Sequence, residues 1–309
     1  MTKKIEPFFL IGYPRSGTTL LLHVLMASGC FPVYKFNETH FFSHYYRRFG
    51  NLKNSKNRAL FLEAVFNSDW FLESGVCREK IANRFAGQDL DYAKLLVAIM
   101  EEISLDQGYD RWLEKTPWHI LYTQEIRAFI PDSKFILIVR DPRDVALSIS
   151  KYGWNRGMFS GPVRAAIAWS WHMDKITKEA YGNDQFLVVK YEELVENMPA
   201  TIKTIGRFLE VEMDYEVISN NAVGVLKESN SSFKREKSSS PVNRWKSTED
   251  KKLIMRMEYA LRGELEKYGY SESGLPSLSL IDQLKIRSLK QLYALGKLGR
   301  QLLFPIVRK

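Results

Sequence analysis

The sequence has few cysteines and no long apolar run. Only Cys30 and Cys77 carry thiols among its 309 residues, which argues against a disulfide scaffold or a CxxC metal site and favours a reducing compartment. No run of about 18 or more apolar residues occurs, so no transmembrane helix is predicted. The opening segment MTKKIEPFFLIG enters an apolar run at once, which leaves no space for a signal peptide. These absences predict a cytoplasmic protein.

The sequence is also short of acidic residues, but mainly in its last part. The formal net charge is +9, and residues 276–309 hold seven Lys or Arg against Asp282 alone. The rest of the chain is close to balanced, so it lacks the basic face typical of nucleic-acid binding. With 45% hydrophobic and 26% charged residues, the composition is that of a globular protein.

Three apolar runs predict buried strands, at residues 8–11, 135–139 and 186–189. Each is followed by a turn signal and a helical pattern. This alternation predicts an α/β protein of three layers, in which helices cover both faces of a central parallel sheet. Because such sheets bind ligands at the carboxyl ends of their strands, the segments after these runs are the candidate sites.

Helical patterns dominate residues 50–110 and 155–180, and a further helix is predicted over about 248–268. A Ser/Gly/Pro-containing break then separates a main domain, residues 1–271, from a tail, residues 272–309.

The first candidate site is the segment GYPRSGTT, residues 12–19. A strand, a tight glycine loop and a helix start bring successive backbone N–H groups onto one anion. The spacing imitates the Walker A loop, G-x-x-x-x-G-K-[ST], but Thr18 stands where that loop has its phosphate-binding lysine. The segment therefore predicts a site for a phosphorylated ligand, bound differently from ATP in a kinase.

The second candidate site is RDPRD, residues 140–144, which follows the strand FILIV. Pro142 suits the first position of a helix, and Ser148 lies two turns into that helix. Arg140 at the strand end can hold a phosphate through two hydrogen bonds. Two anion sites suit a mononucleotide with phosphates at both ends. The alternative is an ATP enzyme with Asp141 as Mg²⁺ ligand, against which Arg140 and the missing lysine argue.

Together, PRSGTT and RDPRDVALS resemble the two cofactor-binding signatures of the P-loop sulfotransferases, and the similarity covers about residues 5–270. The resemblance implies transfer of a sulfuryl group from 3′-phosphoadenosine 5′-phosphosulfate (PAPS) to an acceptor hydroxyl. It implies release of 3′-phosphoadenosine 5′-phosphate (PAP) and no metal requirement. It further implies that the 5′-phosphosulfate is held by Arg15, Ser16, Gly17, Thr18 and Thr19. The 3′-phosphate would be held by Arg140 and Ser148, and Tyr191 of VVKYEELVEN would lie beside the adenine.

The resemblance also indicates catalytic residues. Arg15 stands where relatives often carry Lys, and Lys115 resembles a lysine that some carbohydrate-modifying relatives aim at the sulfuryl group; its alternative interpretation is an ordinary surface salt bridge. The segment KFNETHFF, residues 35–42, resembles the K-E-x-H-F-F stretch of heparan-type sulfotransferases, although its lysine is not adjacent to the glutamate. By that match Glu38 is the general base with His40 supporting it, and His119 is the alternative base.

Residues 227–248 form a Ser/Lys-rich segment. In sulfotransferases a loop at this position closes over PAPS, so the resemblance adds Arg244 and Lys246 as cofactor contacts, although the local pattern departs from the R-K-G of cytosolic relatives. The alternative interpretation is a solvated surface loop.

The tail predicts a basic amphipathic helix with apolar residues at 281, 284, 292, 295, 298 and 302. Such a helix binds an anionic membrane surface, or packs on its own domain or a second subunit. The acceptor stays open among carbohydrate, lipid and other alcohols or phenols. Two other functions stay in view: an ATP-dependent small-molecule kinase, and a non-catalytic nucleotide-binding module.

Overall fold

A four-stranded parallel sheet positions the candidate sites. The computed structural model describes residues 5–86, 88–151, 161–228 and 241–303. Strand order is β2-β1-β3-β4, where the strands are Glu6–Gly12 (β1), Arg111–Lys115 (β2), Lys134–Val139 (β3) and Phe186–Lys190 (β4). Leu10 of β1 pairs with Lys115 on one side and Ile136 on the other. All four strands therefore end at the same edge of the sheet.

The α-helices surround this sheet. In chain order they are Thr18–Ala27 (α1), Ser55–Phe66 (α2), Asp69–Ser74 (α3), Arg78–Arg84 (α4), Tyr92–Asp106 (α5), Thr123–Phe129 (α6), Pro142–Lys151 (α7), Pro162–Ala180 (α8), Tyr191–Glu196 (α9), Met198–Leu209 (α10), Tyr215–Glu228 (α11), Lys251–Ala260 (α12), Glu264–Lys267 (α13) and Leu280–Leu303 (α14). A π-helical turn spans Phe41–Tyr45, and 3₁₀ turns span Pro117–Leu121 and Arg244–Ser247.

Alternate residues of β1 face two different helical layers. Phe8 packs edge-on against Phe208 of α10, whereas its neighbour Phe9 packs against His119 and stacks on Phe135. Because successive side chains of a strand point to opposite faces, both faces of the sheet are covered. The predicted α/β/α arrangement is confirmed.

The three predicted strands are present, each slightly longer than predicted, but the sequence prediction omitted β2. The helix predicted over 248–268 is wrong as one element, because Leu261–Gly263 separates α12 from α13 and Gly263 has a left-handed φ of 85°. No helix of the described residues is long and apolar enough to cross a membrane.

Candidate active site

The loop after β1 is shaped by two glycines. A Cβ on Gly12 would lie 2.7 Å from the Ile138 carbonyl oxygen, so β1 and β3 approach too closely there for a side chain. A Cβ on Gly17 would lie 2.3 Å from Cδ2 of Tyr191, and Gly17 has a left-handed φ of 101°. Both positions require glycine for close approach, and Gly17 requires it for its backbone conformation as well.

The loop presents free polar groups to a ligand. Among the described residues no side chain caps the N-terminus of α1, so its first backbone N–H groups, those of Thr18 and Thr19 included, are positioned to bind an anion. Ser16 is fully buried, and its Oγ has no hydrogen-bond partner among the described residues. Arg15 holds a left-handed φ of 73°, a strained conformation of the kind found at functional sites. These features fit a bound phosphate or phosphosulfate.

Arg140 and Ser148 meet Arg15 beside this loop. Arg15 Nε donates to Ser148 Oγ at 3.2 Å, and Arg140 Nη1 donates to the Arg15 carbonyl at 3.1 Å. Arg140 Nε has no hydrogen-bond partner among the described residues although it is buried. Ser148 thus touches the Arg15 side chain and Arg140 touches the Arg15 backbone, while Arg140 Nη2 donates to the Pro241 carbonyl at 2.7 Å.

Tyr191 connects the two anion sites. Its ring touches Gly17 from one side and lies under the Arg140 guanidinium, 4.4 Å from ring centroid to Cζ. Because Tyr191 directly follows β4, the segments after β1, β3 and β4 meet in one cluster of side chains. Tyr191 is 3% exposed, so it packs between the two segments, and its contact with adenine stays a prediction.

Of the Ser/Lys-rich segment, residues 229–240 lie outside the described residues. The turn that follows is tied to α7, since Asp144 accepts the backbone N–H groups of Arg244 at 3.3 Å and Trp245 at 2.8 Å. The Trp245 ring covers the Arg143 guanidinium at 3.6 Å, so it anchors the turn. Lys246 lines a cavity of about 440 Å³ that includes none of residues 12–19. The backbone of Arg244 thus lies next to α7, and Lys246 lines a cavity separate from residues 12–19.

Glu38 and Lys115 form an ion pair at the end of β2. Lys115 Nζ donates to Glu38 Oε1 at 2.9 Å, and His40 Nε2 lies 3.1 Å from Oε2. The Lys115 side chain is 1% exposed and that of Glu38 27%, so this is not a surface salt bridge and Glu38 still reaches solvent. Burial acts to raise the pKa of Glu38, but the hydrogen bond from His40 and the Lys115 charge outweigh it and the pKa is lowered. Glu38 is therefore a carboxylate at neutral pH.

This ion pair lies beside the phosphate loop. Lys115 pairs in register with Leu10, two residues before Gly12. Burial and the Lys115 charge lower the pKa of His23 on α1, as expected when Lys115 faces that helix. The base candidate thus lies on the β2 side of the loop and the Arg140 cluster on the β3 side.

A buried network around Glu114 holds the segment that carries Glu38. The Glu114 carboxylate accepts hydrogen bonds from Thr39 Oγ1 at 2.7 Å and Thr116 Oγ1 at 2.6 Å, and its Oε2 lies 2.8 Å from His119 Nδ1. Burial acts to raise the pKa of Glu114, but His119 and the two hydroxyls lower it. The sequence prediction omitted this network, because a charged residue inside a short buried strand gives no strand pattern.

His119 is buried in the domain and does not face the site. It is fully buried, and its Nε2 accepts the N–H of Phe42 at 3.1 Å. The proton therefore lies on Nδ1 and is donated to Glu114. With both nitrogens engaged, His119 has no open face toward an acceptor, which leaves Glu38 as the better-placed base.

Asp141, the Mg²⁺ ligand of the kinase alternative, is already engaged. Its Oδ1 accepts from Arg143 Nε at 3.0 Å and its Oδ2 from Nη2 at 2.7 Å. Arg143 also binds Glu258, which completes a buried ion network. Within the described ranges no group of three or more His, Cys, Asp or Glu is arranged to hold a metal ion.

Comparisons with known proteins identify the family of this chain. The model of the sulfotransferase family matches residues 7–215, and the chain belongs to that family. A predicted protein-tyrosine sulfotransferase of Caenorhabditis briggsae is 25% identical over 221 residues, 69% of this chain and 68% of the relative. A second, of Caenorhabditis elegans, is 25% identical over 162 residues, which are 50% of this chain and 58% of the relative.

Among solved structures, the fold is similar to the sulfotransferase domain of the Synechococcus PCC 7002 olefin synthase. The TM-score is 0.53 at 20% identity, over 94% of this chain and 96% of that domain. At this identity the similarity shows the shared fold.

Proposed function

We propose that this protein transfers a sulfuryl group from PAPS to an acceptor hydroxyl. The observation that carries the proposal is the contact of Arg15 with both phosphate-binding segments. Arg15 belongs to the loop after β1, its Nε binds Ser148 at 3.2 Å, and its carbonyl binds Arg140. The segments after β1 and β3 therefore bring cationic and hydroxyl groups together, which supports binding of phosphates at both ends of a nucleotide. Ser16 Oγ and Arg140 Nε supply buried polar atoms that a bound ligand would satisfy.

PAPS, when bound, supplies the sulfuryl group, and its reaction leaves negative charge on a 5′-phosphate oxygen of PAP. The loop N–H groups, Ser16 and Arg15 would hold the 5′ end, and Arg140 and Ser148 the 3′-phosphate. Lys115 and Arg15 would supply positive charge near the bound phosphosulfate, which would stabilise charge that develops in the transition state. Positioning supplies the remaining acceleration, as in phosphoryl transfer.

Glu38 accepts the proton of the acceptor hydroxyl as the acceptor oxygen bonds to sulfur. Its lowered pKa keeps it ionised at neutral pH, so the proton acceptor is present before the acceptor binds. His40 and Lys115 hold one carboxylate oxygen each, which fixes the direction of the group. Glu114 fixes the backbone of the same segment through Thr39.

The acceptor belongs to the hydroxyl class, a carbohydrate, a lipid or another alcohol or phenol. The two distant relatives named for protein tyrosine favour a phenol. The match of residues 35–42 to heparan-type enzymes favours a sugar. The ATP-kinase alternative is weakened by the engagement of both Asp141 oxygens with Arg143.

The test is an acceptor panel of phenols, tyrosine peptides, sugars and lipid alcohols, assayed with radiolabelled PAPS. Glu38→Gln keeps the size of the side chain and removes the base, so turnover falls about 100-fold or more. Glu63→Gln, a glutamate of α2 outside the site, serves as the matched control. If PAP binds but no acceptor is turned over, and Glu38→Gln leaves PAP binding unchanged, the non-catalytic module is supported instead.

A further inference from the structure

Helix α14 turns an apolar stripe away from the domain. Its members are between 56% and 77% exposed, and at 3.6 residues per turn they fall along one side of the helix. They are Leu280, Ile281, Leu284, Leu292 and Leu295. Elsewhere in the described chain no element carries more than two large exposed apolar residues. Exposed Ser288 and Gln291 lie between Leu284 and Leu292 on the same side, and an exposed apolar side of this kind is typical of an interaction surface.

The other side of α14 is fixed to the domain. Asp282 and Ile286 are buried, and Arg256 Nη2 donates to Asp282 Oδ1 at 2.7 Å. One turn beyond Ile286, Lys290 Nζ donates to the Ala260 carbonyl at 2.8 Å. The helix also packs along α8 and α12. Turning the apolar stripe inward would break these contacts, so the stripe is held toward solvent.

The charge around the stripe is positive. Asp282, the acid nearest the stripe on α14, faces inward and is paired with both Arg256 and Lys252. Lys285 and Arg287 are exposed, and the helical repeat places them on opposite flanks of the stripe. Arg287 Nε donates to Tyr259 Oη on α12 at 2.7 Å, which leaves the two terminal nitrogens of its exposed side chain for a phosphate. An apolar centre with basic flanks and no outward acid among residues 280–296 defines the surface.

We propose that the α14 stripe docks on an anionic lipid surface, with the helix lying in the plane of the membrane. The leucine side chains enter the boundary between headgroups and acyl chains, and Lys285 and Arg287 contact lipid phosphates. A second copy of this chain is disfavoured as the occupant, because pairing the stripe with itself brings two basic rims together without acids to neutralise them. Since the opposite side of α14 is bound to the domain, docking holds the site near the membrane. The proposal does not depend on the chemistry of that site.

The test is cosedimentation of the full-length protein with vesicles, either phosphatidylcholine alone or phosphatidylcholine mixed with phosphatidylserine. The wild type is expected to bind the mixed vesicles, and less so as salt is raised. Leu284→Glu/Leu292→Glu lowers the partition coefficient about tenfold or more. Leu72→Glu/Leu105→Glu makes the same change at two exposed leucines of α3 and α5 and leaves binding unchanged.

Two further measurements separate folding and self-association from docking. Thermal melting shows whether the variants fold, and Lys285→Gln/Arg287→Gln, which leaves the apolar stripe intact, is expected to lower binding to the mixed vesicles alone. Absence of wild-type binding overturns the proposal, as does binding that the stripe variant leaves unchanged. A dimer in light scattering that the stripe variant dissociates, without vesicle binding, assigns the surface to a second copy.

Discussion

The Lys115 ammonium donates to Glu38 Oε1 at 2.9 Å, joining the end of β2 to the segment between α1 and α2. The pair unites the two groups that the proposed chemistry needs on this side of the loop, a proton acceptor and a cation. Because Lys115 is buried while Glu38 reaches solvent, the carboxylate is the member open to an acceptor.

Removing the Lys115 charge is expected to move the acid limb of the pH profile. Glu38 acts as a base only when ionised, so activity is lost as the pH falls through its pKa. In the wild type that pKa is lowered, which places the limb below the usual glutamate range. Lys115→Met leaves the effect of burial and removes the charge, so the limb of kcat/KM moves to higher pH and kcat falls about 100-fold.

The control for that variant is Lys35→Met, an exposed lysine three residues before Glu38. Lys35→Met is expected to change neither the acid limb of the kcat/KM profile nor kcat. If Lys115→Met changed neither the acid limb of the kcat/KM profile nor kcat, the ion pair would have only a structural role.

Glu114→Gln is expected to lower kcat without weakening PAP binding. The amide replaces one of the oxygens that bind Thr39, Thr116 and His119, so a buried donor loses its partner and stability falls by about 1–3 kcal/mol. The Glu38 segment loses its anchor, whereas Arg140 and Ser148 do not contact this network. Denaturant unfolding, kcat and calorimetric PAP titration measure the three effects.

Glu102→Gln is the matched control, since Glu102 is a buried carboxylate of α5 paired with Lys80. It is expected to alter stability and leave kcat unchanged in the folded protein. Equal losses of kcat in both variants would mean that Glu114 acts on overall stability only.

Gly17→Ala is expected to weaken PAP binding at least about tenfold. The left-handed backbone alone costs a side chain about 1–2 kcal/mol, and the new Cβ also meets Tyr191 at 2.3 Å. Gly108→Ala carries the same kind of strain at φ 79°, with nothing within 4 Å of the Cβ. Isothermal titration of both variants shows whether the loss is specific to residues 12–19, and equal PAP affinities would contradict a role of Gly17 in PAP binding.

Arg140→Gln is expected to reduce the preference for a 3′-phosphate. PAP affinity falls about 10–100-fold because charge-assisted hydrogen bonds are lost, whereas adenosine 5′-phosphate affinity changes little. A general disturbance of the loop would lower the affinities for both ligands, so the ratio of the two affinities reports the 3′-phosphate contact. Arg127→Gln, on α6 and bound to Gln185, is the control. A parallel loss for both ligands would remove Arg140 from the 3′-phosphate site.

The sequence was informative where the backbone dictates residue type. Gly12 and Gly17 are required by close approach of main chain and ring, and a proline after Asp141 marks the start of α7, so the loop and the Arg140 segment could be located from their patterns. The β2 strand could not, because Glu114 and Lys115 break its apolar run and owe their burial to partners distant in sequence. Contacts between residues distant in sequence do not appear in the local hydrophobic pattern.

The orientation of α14 on the domain could not be predicted from the sequence for the same reason. Both of its sides carry apolar residues, Ile286 on one and Leu284 on the other, and the pattern alone does not say which meets the domain. The choice follows from partners on other elements, above all Arg256 with Asp282 and Ala260 with Lys290.

Sulfuryl transfer from PAPS requires that the cluster of Arg15, Arg140 and Ser148 bind PAP, a nucleotide with phosphates at both ends. Calorimetric titration of PAP in the presence of a metal chelator, followed by competition with Mg·ATP, tests it most directly. PAP is expected to bind with the chelator present, and Mg·ATP is expected not to displace it. Binding of Mg·ATP with no binding of PAP would instead indicate the ATP-dependent kinase.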